Sequence, residues 1–326
     1  MPTVQYKTPN PDLPPAICIM GPTASGKSKL AMEMAKSFPV EIISVDSAQV
    51  YRHMDIGTAK PDAAALATVP HHLINLIDPI QRYSAAQFRH DALDAMDQIT
   101  ARGKIPLLIG GTMLYFRALQ EGLSVLPPAN EAIRSEIELT AKDVGWPVMH
   151  DKLYELDPTS AVGIKPTDSQ RIQRALEVCY LTDKPMSESL KIPREVDLPY
   201  HLINIALIPS ERSVLHRRIA QRFESMIATG LVEEVGTICT QFGVNAESPA
   251  MRCVGYRQAL LYLHDKINLT EMHDMGIAAT RQLAKRQLTW LRSMKKTCAL
   301  NEYDCLAEDL SGQVLAFLQS LGLDVS

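Results

Sequence analysis

Several features are missing from this chain, and each absence removes a class of protein. The six cysteines (Cys18, Cys179, Cys239, Cys253, Cys298 and Cys305) include no CxxC pair, and no histidines stand at finger spacing. Neither a disulfide framework nor a zinc site is therefore expected. No apolar run approaches the roughly 18 residues that a membrane span requires. The opening MPTVQYKTPNPDLPP lacks the apolar stretch of a secretory signal and is proline-rich, so residues 1–15 read as a flexible leader. A net positive charge is also missing: the net charge is −4, so any nucleic-acid surface must be a local patch. What remains is a reduced, soluble, cytoplasmic protein with no membrane partner. Its 326 residues are 46% hydrophobic, enough to build the core of one large domain or two ordinary ones.

The pattern along the chain is strand–helix alternation. Ala16–Met20 is a short apolar run closed by glycine, residues 28–37 are helix formers, and 40–45 is a second apolar run ending at Asp46. Residues 84–101 carry Phe88, Ala92, Met96 and Ile99 at helical spacing, and 105–109 gives a third strand stopped by Gly110-Gly111. Such alternation implies an α/β fold, a parallel sheet flanked by helices. From about 122 to 197 strand signals fade and polar helix formers dominate, which predicts a mostly helical insertion. There Thr167-Asp-Ser-Gln170 has the form of a capping box. Residues 201–208 return the chain to the sheet. The remainder reads as helix: 211–229 closed by Gly230, then 256–265 and 270–296. The expected core is thus 16–121 with 198–326, interrupted by the insertion 122–197.

Residues 21–28, GPTASGKS, match the phosphate-loop pattern in full, directly after a strand and before a helix. Gly21 and Gly26 let the backbone of Pro22, Thr23, Ala24 and Ser25 curl so that its N–H groups point inward at the helix N-terminus. Lys27 supplies a point charge, and the Ser28 hydroxyl can ligate Mg²⁺. The motif reports phosphate, not nucleotide. Taken by itself it suggests an ATP-binding kinase or NTPase, with Asp46 the best acidic partner.

Further blocks shift that reading. DSAQVYRHMDIGTAKP (46–61), GGTMLYFRAL (110–119), QRIQRALEV (170–178), RCVGYRQ (252–258) and ATRQLAKRQLTWLR (279–292) follow the P-loop in chain order. Together they resemble the tRNA dimethylallyltransferase (tRNA isopentenyltransferase) family, in its bacterial form without a C-terminal zinc finger. The resemblance implies that dimethylallyl diphosphate and the anticodon stem-loop of a tRNA are the substrates. The prenyl group would pass to the exocyclic amine of the adenosine 3′ of the anticodon. An adenine amine is a poor nucleophile, so a base at Asp46 would help. Departing diphosphate calls for donors and cations, here Lys27, the loop amides, Thr23, Ser28, Thr112 and Mg²⁺. Asp46 has a second reading as an outer Mg²⁺ ligand, and Thr112 as the cap of the following helix. LHRRIAQRF (215–223) matches a family pattern that sets an arginine against the diphosphate, either Arg218 or Arg222.

The RNA surface follows from the same blocks. The stretch 275–301 has six basic residues and no acid, and Arg281, Lys285, Arg292 and Lys296 fall on one side of a helix, beside an apolar stripe of Ile277, Ala284, Leu288 and Leu291. A solvated basic face is the plain alternative. The resemblance extends the tRNA contacts to Asp46, Ser47, Ala48, Gln49, Thr112 and Arg134, to Gln170, Arg171, Ile172, Gln173 and Arg174, to Arg252, Cys253, Val254, Gly255, Tyr256 and Arg257, and to Lys285, Arg286, Gln287, Leu288, Thr289, Trp290, Leu291 and Arg292. Tyr256 and Trp290 read either as base stackers or as core. His71-His72, with no partner cluster, is structural or RNA-facing. A monomer is expected. The competing readings are an ATP-using small-molecule kinase with Asp46 as base, and a non-catalytic RNA-binding P-loop protein.

Overall fold

Apolar runs without polar alternation can be satisfied only where both faces of a strand are covered. The computed structural model, which describes residues 12–191 and 198–323, meets that demand with a six-stranded parallel sheet. Its strands are β1 (Pro15–Met20), β2 (Val40–Val45), β3 (His71–His72), β4 (Ile105–Gly110), β5 (His201–Ile208) and β6 (Asn301–Asp304). They lie in the order β3-β2-β4-β1-β5-β6. Met20, Gly110, Val45 and Ala206 share one register line across the four central strands. In β1, β2 and β4 the residues that follow that line leave the sheet along a common edge.

Four helices are threaded through the first half: α1 (Lys27–Ser37), α2 (Ala63–Thr68), α3 (Ala85–Ala101) and α4 (Met113–Glu121). Then come α5 (Glu131–Val144), α6 (Trp146–Leu156), α7 (Pro158–Gly163), α8 (Ser169–Thr182) and α9 (Met186–Ser189). The last are α10 (Arg212–Ala228), α11 (Leu231–Phe242), α12 (Tyr256–Leu263), α13 (Leu269–Met294) and α14 (Leu310–Ser320). None of the described helices is long and apolar enough to cross a membrane.

The chain divides into two compact units, one holding residues 121–191 and the other 12–120 with 198–323. In the larger unit, one face of the sheet packs Phe88, Ala92, Met96 and Ile99 of α3 against Cys18, Ile43 and Leu108. The other face packs Leu30 and Met34 of α1 and Val314 and Leu318 of α14 against Ile17, Ile42 and Leu107. A third cluster, centred on Phe223, Leu231, Val235, Tyr256 and Met272, joins α10 to α13. In the smaller unit, Ile137, Met149, Leu153, Ile172 and Leu176 form an independent core. Burying an aliphatic side chain of this size contributes roughly 1.5–3 kcal/mol, the dominant favourable term in both units.

Local chemistry sets the helix starts. Ser84 accepts from the Gln87 N–H at 3.1 Å, and the Gln87 side chain accepts from the Ser84 N–H at 2.8 Å, closing a reciprocal cap on α3. On α8 the expected box at Thr167 is not formed. Asp168 is the cap, accepting from the Arg171 N–H at 3.3 Å, because its carboxylate suits the helix N-terminus better and the third helical residue is then an arginine. Of the expected leader, residues 1–11 lie outside the described residues, and Pro15 already begins β1.

The C-terminal region is not all helix as the sequence suggested. β6 is polar (Asn301-Glu-Tyr-Asp304) and pairs only with β5 at the sheet edge, so it has no apolar run to announce it. β3 is equally silent. Its two histidines are structural: His71 Nδ1 lies 2.8 Å from the Val69 carbonyl and His72 Nε2 2.7 Å from Glu41 Oε2. Glu41, at the start of β2, is buried and also takes a fork of two hydrogen bonds from Arg102 at 3.1 and 2.7 Å, with Lys104 at 3.3 Å. Burial alone would raise its pKa, but the bonds from Arg102, His72 and Lys104 outweigh burial and hold it at about 2.

Candidate active site at the carboxyl edge of the sheet

Three strand ends meet at one edge. β1 runs into Gly21, β2 into Asp46, and β4 into Gly111-Thr112, and these strands are neighbours in the order β2-β4-β1. Ligand crevices in open parallel sheets form beyond such ends. Gly110 is required by the closeness of the strands, since a Cβ there would stand 2.0 Å from the Val45 carbonyl oxygen. Gly26 caps α1 in the left-handed region at φ 85°, a turn glycine makes without strain.

The P-loop is folded onto itself. Lys27 Nζ donates to the Gly21 carbonyl at 3.0 Å and the Pro22 carbonyl at 2.7 Å. The Ser25 hydroxyl is fully buried and has no hydrogen-bond partner among the described residues. Burial, then the neighbouring Arg222 guanidinium, pulls the Lys27 ammonium down to about 8, with Asp46 opposing the shift. An anion arriving here would offer the lysine a better partner than two neutral carbonyls.

Asp46 uses one carboxylate oxygen for the turn. Its Oδ1 accepts from the Ala48 N–H at 2.8 Å and the Gln49 N–H at 3.4 Å, and Oδ2 accepts nothing among the described residues. Thr112 Oγ1 accepts from the Ser47 N–H at 3.0 Å and donates to Ser47 Oγ at 3.3 Å. The hydroxyl therefore ties the loop after β2 to the loop after β4 instead of capping α4. Gln287 of α13 ties the loop after β4 to the P-loop. Its Oε1 accepts from the Thr23 N–H at 2.9 Å and its Nε2 donates to the Gly111 carbonyl at 2.9 Å.

The two arginines of α10 separate. Arg218 donates to the Cys305 carbonyl at 3.2 Å. Arg222 makes no hydrogen bond or ion pair among the described residues, and the charge that most supports its protonation is Asp46. It lines a cavity of about 530 Å³ with Asp55, Ile56, Lys60, Asn75 and Met226. Arg222, Lys27 and Asp46 are thus mutually within electrostatic reach, and of the two arginines Arg222 is the uncommitted one.

The expected RNA contacts sort by exposure. Arg252, Arg257, Lys285, Arg286, Thr289 and Arg292 are exposed in the larger unit, as are Gln170 and Arg171 on α8 of the smaller one. Cys253 and Val254 are half-buried. Gly255 is the N-cap of α12, at φ 90°. Trp290 is half-buried, with the Arg117 guanidinium 5.9 Å above its ring. Several side chains on those blocks do not face outward. Ile172, Leu291 and Tyr256 are essentially fully buried, and Leu288 and Gln287 nearly so, because the helical stripe they occupy is the packing face. Tyr256 is core, its hydroxyl donating to Glu234. Arg134 and Arg174 are committed as well: both clamp the buried Glu177, at 2.9 Å and 2.6 Å, and Gln173 bonds Glu138 at 2.9 Å. An unpaired Glu177 in that core would be costly, so these arginines serve the fold.

The donors available to a metal are oxygens only: the exposed Ser28 hydroxyl and the free Asp46 Oδ2. The described residues contain no cluster of three His, Cys, Asp or Glu. Two hard oxygens beside a phosphate site suit Mg²⁺, which completes its shell with water and phosphate, and they do not suit a thiophilic metal.

Comparison with known proteins places this edge in context. The IPP transferase family model matches residues 49–294, and an isopentenyl transferase model matches residues 15–77. A tRNA dimethylallyltransferase of Nitrosomonas eutropha is 61% identical over 311 residues, covering 95% of this chain and 97% of the relative. The full-length tRNA isopentenylpyrophosphate transferase of Bacillus halodurans superposes with a TM-score of 0.68 at 35% identity, over 94% of this chain and 96% of that one. A eukaryotic dimethylallyltransferase, seen in crystallographic snapshots acting on tRNA, reaches a TM-score of 0.76 at 26% identity, over 94% and 79% of the two chains. The matched spans contain every strand end and α10–α13 helix that builds the edge, and the chain belongs to the tRNA dimethylallyltransferase, or tRNA isopentenyltransferase, family.

Proposed function

We propose that this chain transfers the dimethylallyl group of dimethylallyl diphosphate to the exocyclic N6 of the adenosine 3′ of the anticodon in certain tRNAs, releasing diphosphate. The observation that carries the reading is the juxtaposition of a self-bonded P-loop, the uncommitted Arg222 and the half-free Asp46 at one sheet edge. The donor's diphosphate takes the P-loop amides and draws Lys27 off the Gly21 and Pro22 carbonyls. Arg222 adds a second cation. As the N6 lone pair bonds to the prenyl carbon, the carbon–oxygen bond to diphosphate breaks and Asp46 Oδ2 takes the N6 proton. The cations meet the charge growing on the leaving group. With Asp46 as the base, Ser28 would hold Mg²⁺, which would supply further neutralisation of the diphosphate. Thr112 then acts by fixing the Asp46–Ser47 turn. A kinase reading is not favoured by the relatives.

The adenosine must leave its loop stack to reach this edge. The exposed Lys285, Arg286 and Arg292 of α13, with Arg252, Arg257, Gln170 and Arg171, are the proposed phosphate contacts. One chain, in the cytoplasm, is the proposed working unit. Incubation with labelled dimethylallyl diphosphate and unmodified tRNA tests the proposal: label is expected in tRNA at the adenosine next to the anticodon. Phosphoryl transfer from ATP without prenyl transfer would sink it, and binding of tRNA without turnover would favour a purely RNA-binding protein.

A further inference from the structure

Glu234 lies on α11, outside the blocks that carry the site, yet its carboxylate is aimed at a loop of the site. Oε2 accepts from the N–H groups of Asp55 at 2.9 Å and Ile56 at 2.7 Å, and Oε1 accepts from the Gly57 N–H at 3.3 Å. The buried Tyr256 hydroxyl donates to the same Oε1. Three consecutive backbone donors converging on one anion form a nest, here filled by a side chain 177 to 179 residues away. Gly57 is seated against the Tyr256 ring so closely that a Cβ would stand 2.4 Å from it.

The loop held in this way leads back to Asp46. The carbonyls of Thr58 and Ala59 accept from Gln49 Nε2 at 3.3 and 3.4 Å, while Gln49 Oε1 accepts from Ser44 Oγ at 2.9 Å. Gln49 in turn offers its N–H to Asp46 Oδ1 at 3.4 Å. Lys60 closes the loop from the other side, bonding the Tyr51 carbonyl at 2.8 Å and Asp55 and Asn75 at 2.6 Å each.

We infer that Glu234 and Tyr256 are positioning residues for the transfer: together they latch residues 55–57 and so fix the turn that aims Asp46. The inference rests on the prenyl-transfer reading for its kinetic consequence, but its structural consequence can be measured without it. The P-loop is held by other contacts, so the latch acts on Asp46 and not on diphosphate binding.

The test compares Glu234→Ala, Glu234→Gln and Tyr256→Phe in the full chain, well below their melting temperatures. Glu234→Ala is expected to lower kcat by about 10- to 100-fold, the range a misplacement near 1 Å produces, with binding of inorganic diphosphate unchanged. Glu234→Gln keeps one oxygen that can accept from both Asp55 and Ile56, so it should recover part of the loss. Tyr256→Phe keeps the ring against Gly57 and removes one donor, so its loss should be the smallest. Hydrogen exchange should quicken at residues 46–59 in Glu234→Ala and stay unchanged at 21–28. The inference is overturned if kcat falls only in proportion to the unfolded fraction, if diphosphate binding weakens in parallel, or if exchange at 46–59 does not change. Absence of prenyl transfer by the unaltered chain would defeat the proposed function instead, and the exchange measurement would then decide the latch alone.

Discussion

The two ends of β2 each carry an acid, and the two are held in opposite ways. Glu41, second in the strand, has both oxygens occupied, held by Arg102, His72 and Lys104. Asp46 follows its last residue with one oxygen occupied and one free, near cations that have no carboxylate partner among the described residues. Glu177 in the helical unit repeats the first pattern, clamped by Arg134 and Arg174. A carboxylate whose lone pairs are all answered by fixed donors stabilises the fold. One left with an open oxygen beside unpaired cations can move a proton. Charge in the sequence does not separate the two cases, because the partners of each acid come from distant segments.

Breaking the comparison at the Asp46 end should have the largest effect. Asp46→Asn keeps the oxygen that accepts from Ala48 and loses the base, so kcat should fall by about 10³-fold, within the 10² to 10⁴ range of general-base removal, with tRNA affinity nearly unchanged. Equal losses in turnover and affinity, read by steady-state kinetics and filter binding, would argue against a base. The α10 arginines sharpen the point. Arg222→Ala should cost about 10²-fold in turnover, while Arg218→Ala, which loses only a bond to a backbone carbonyl, should cost far less. The reverse order would reassign the diphosphate arm.

At the other end of β2, Glu41→Gln should leave kcat intact and lower stability by about 1–3 kcal/mol, read as a reduced urea midpoint. Because its folded pKa is depressed to about 2, the Glu41 contribution is present in full above its ordinary 4.5 and is lost as pH falls through about 2. The difference in stability between Glu41→Gln and the native chain should therefore shrink on acidification.

The smallest effect concerns Lys27. Its folded value near 8 lies below its ordinary 10.5, so donor affinity should be full at pH 7 and weaken as pH rises through about 8. Stability responds with the opposite sign. The folded chain binds fewer protons than the unfolded chain between about 8 and 10.5, so the cost of charging buried Lys27 is relieved across that window. Titrating donor affinity by calorimetry from pH 6 to pH 9.5 would expose the trend, and a flat profile would show that Lys27 keeps its proton throughout.

Local sequence determined much of this protein. The P-loop, the apolar runs that became β1, β2, β4 and β5, the long helices α3, α10 and α13, and the placing of Asp46 at a strand end were all legible. Each depends on interactions within a few residues or on a single periodicity. The same periodicity placed Leu288 and Leu291 on the packing stripe of α13, so their burial was legible too.

Only the tertiary structure decided the rest. It paired polar Asn301–Asp304 with β5, where edge position replaces hydrophobicity as the reason for a strand. It set Arg218 apart from Arg222 by giving one a carbonyl and leaving the other open. It turned Gln287 inward to bridge two loops and bent Glu234 onto backbone amides far from it in the chain. A side chain's role depends on which donors and acceptors reach it, and those come from segments that the sequence order keeps apart.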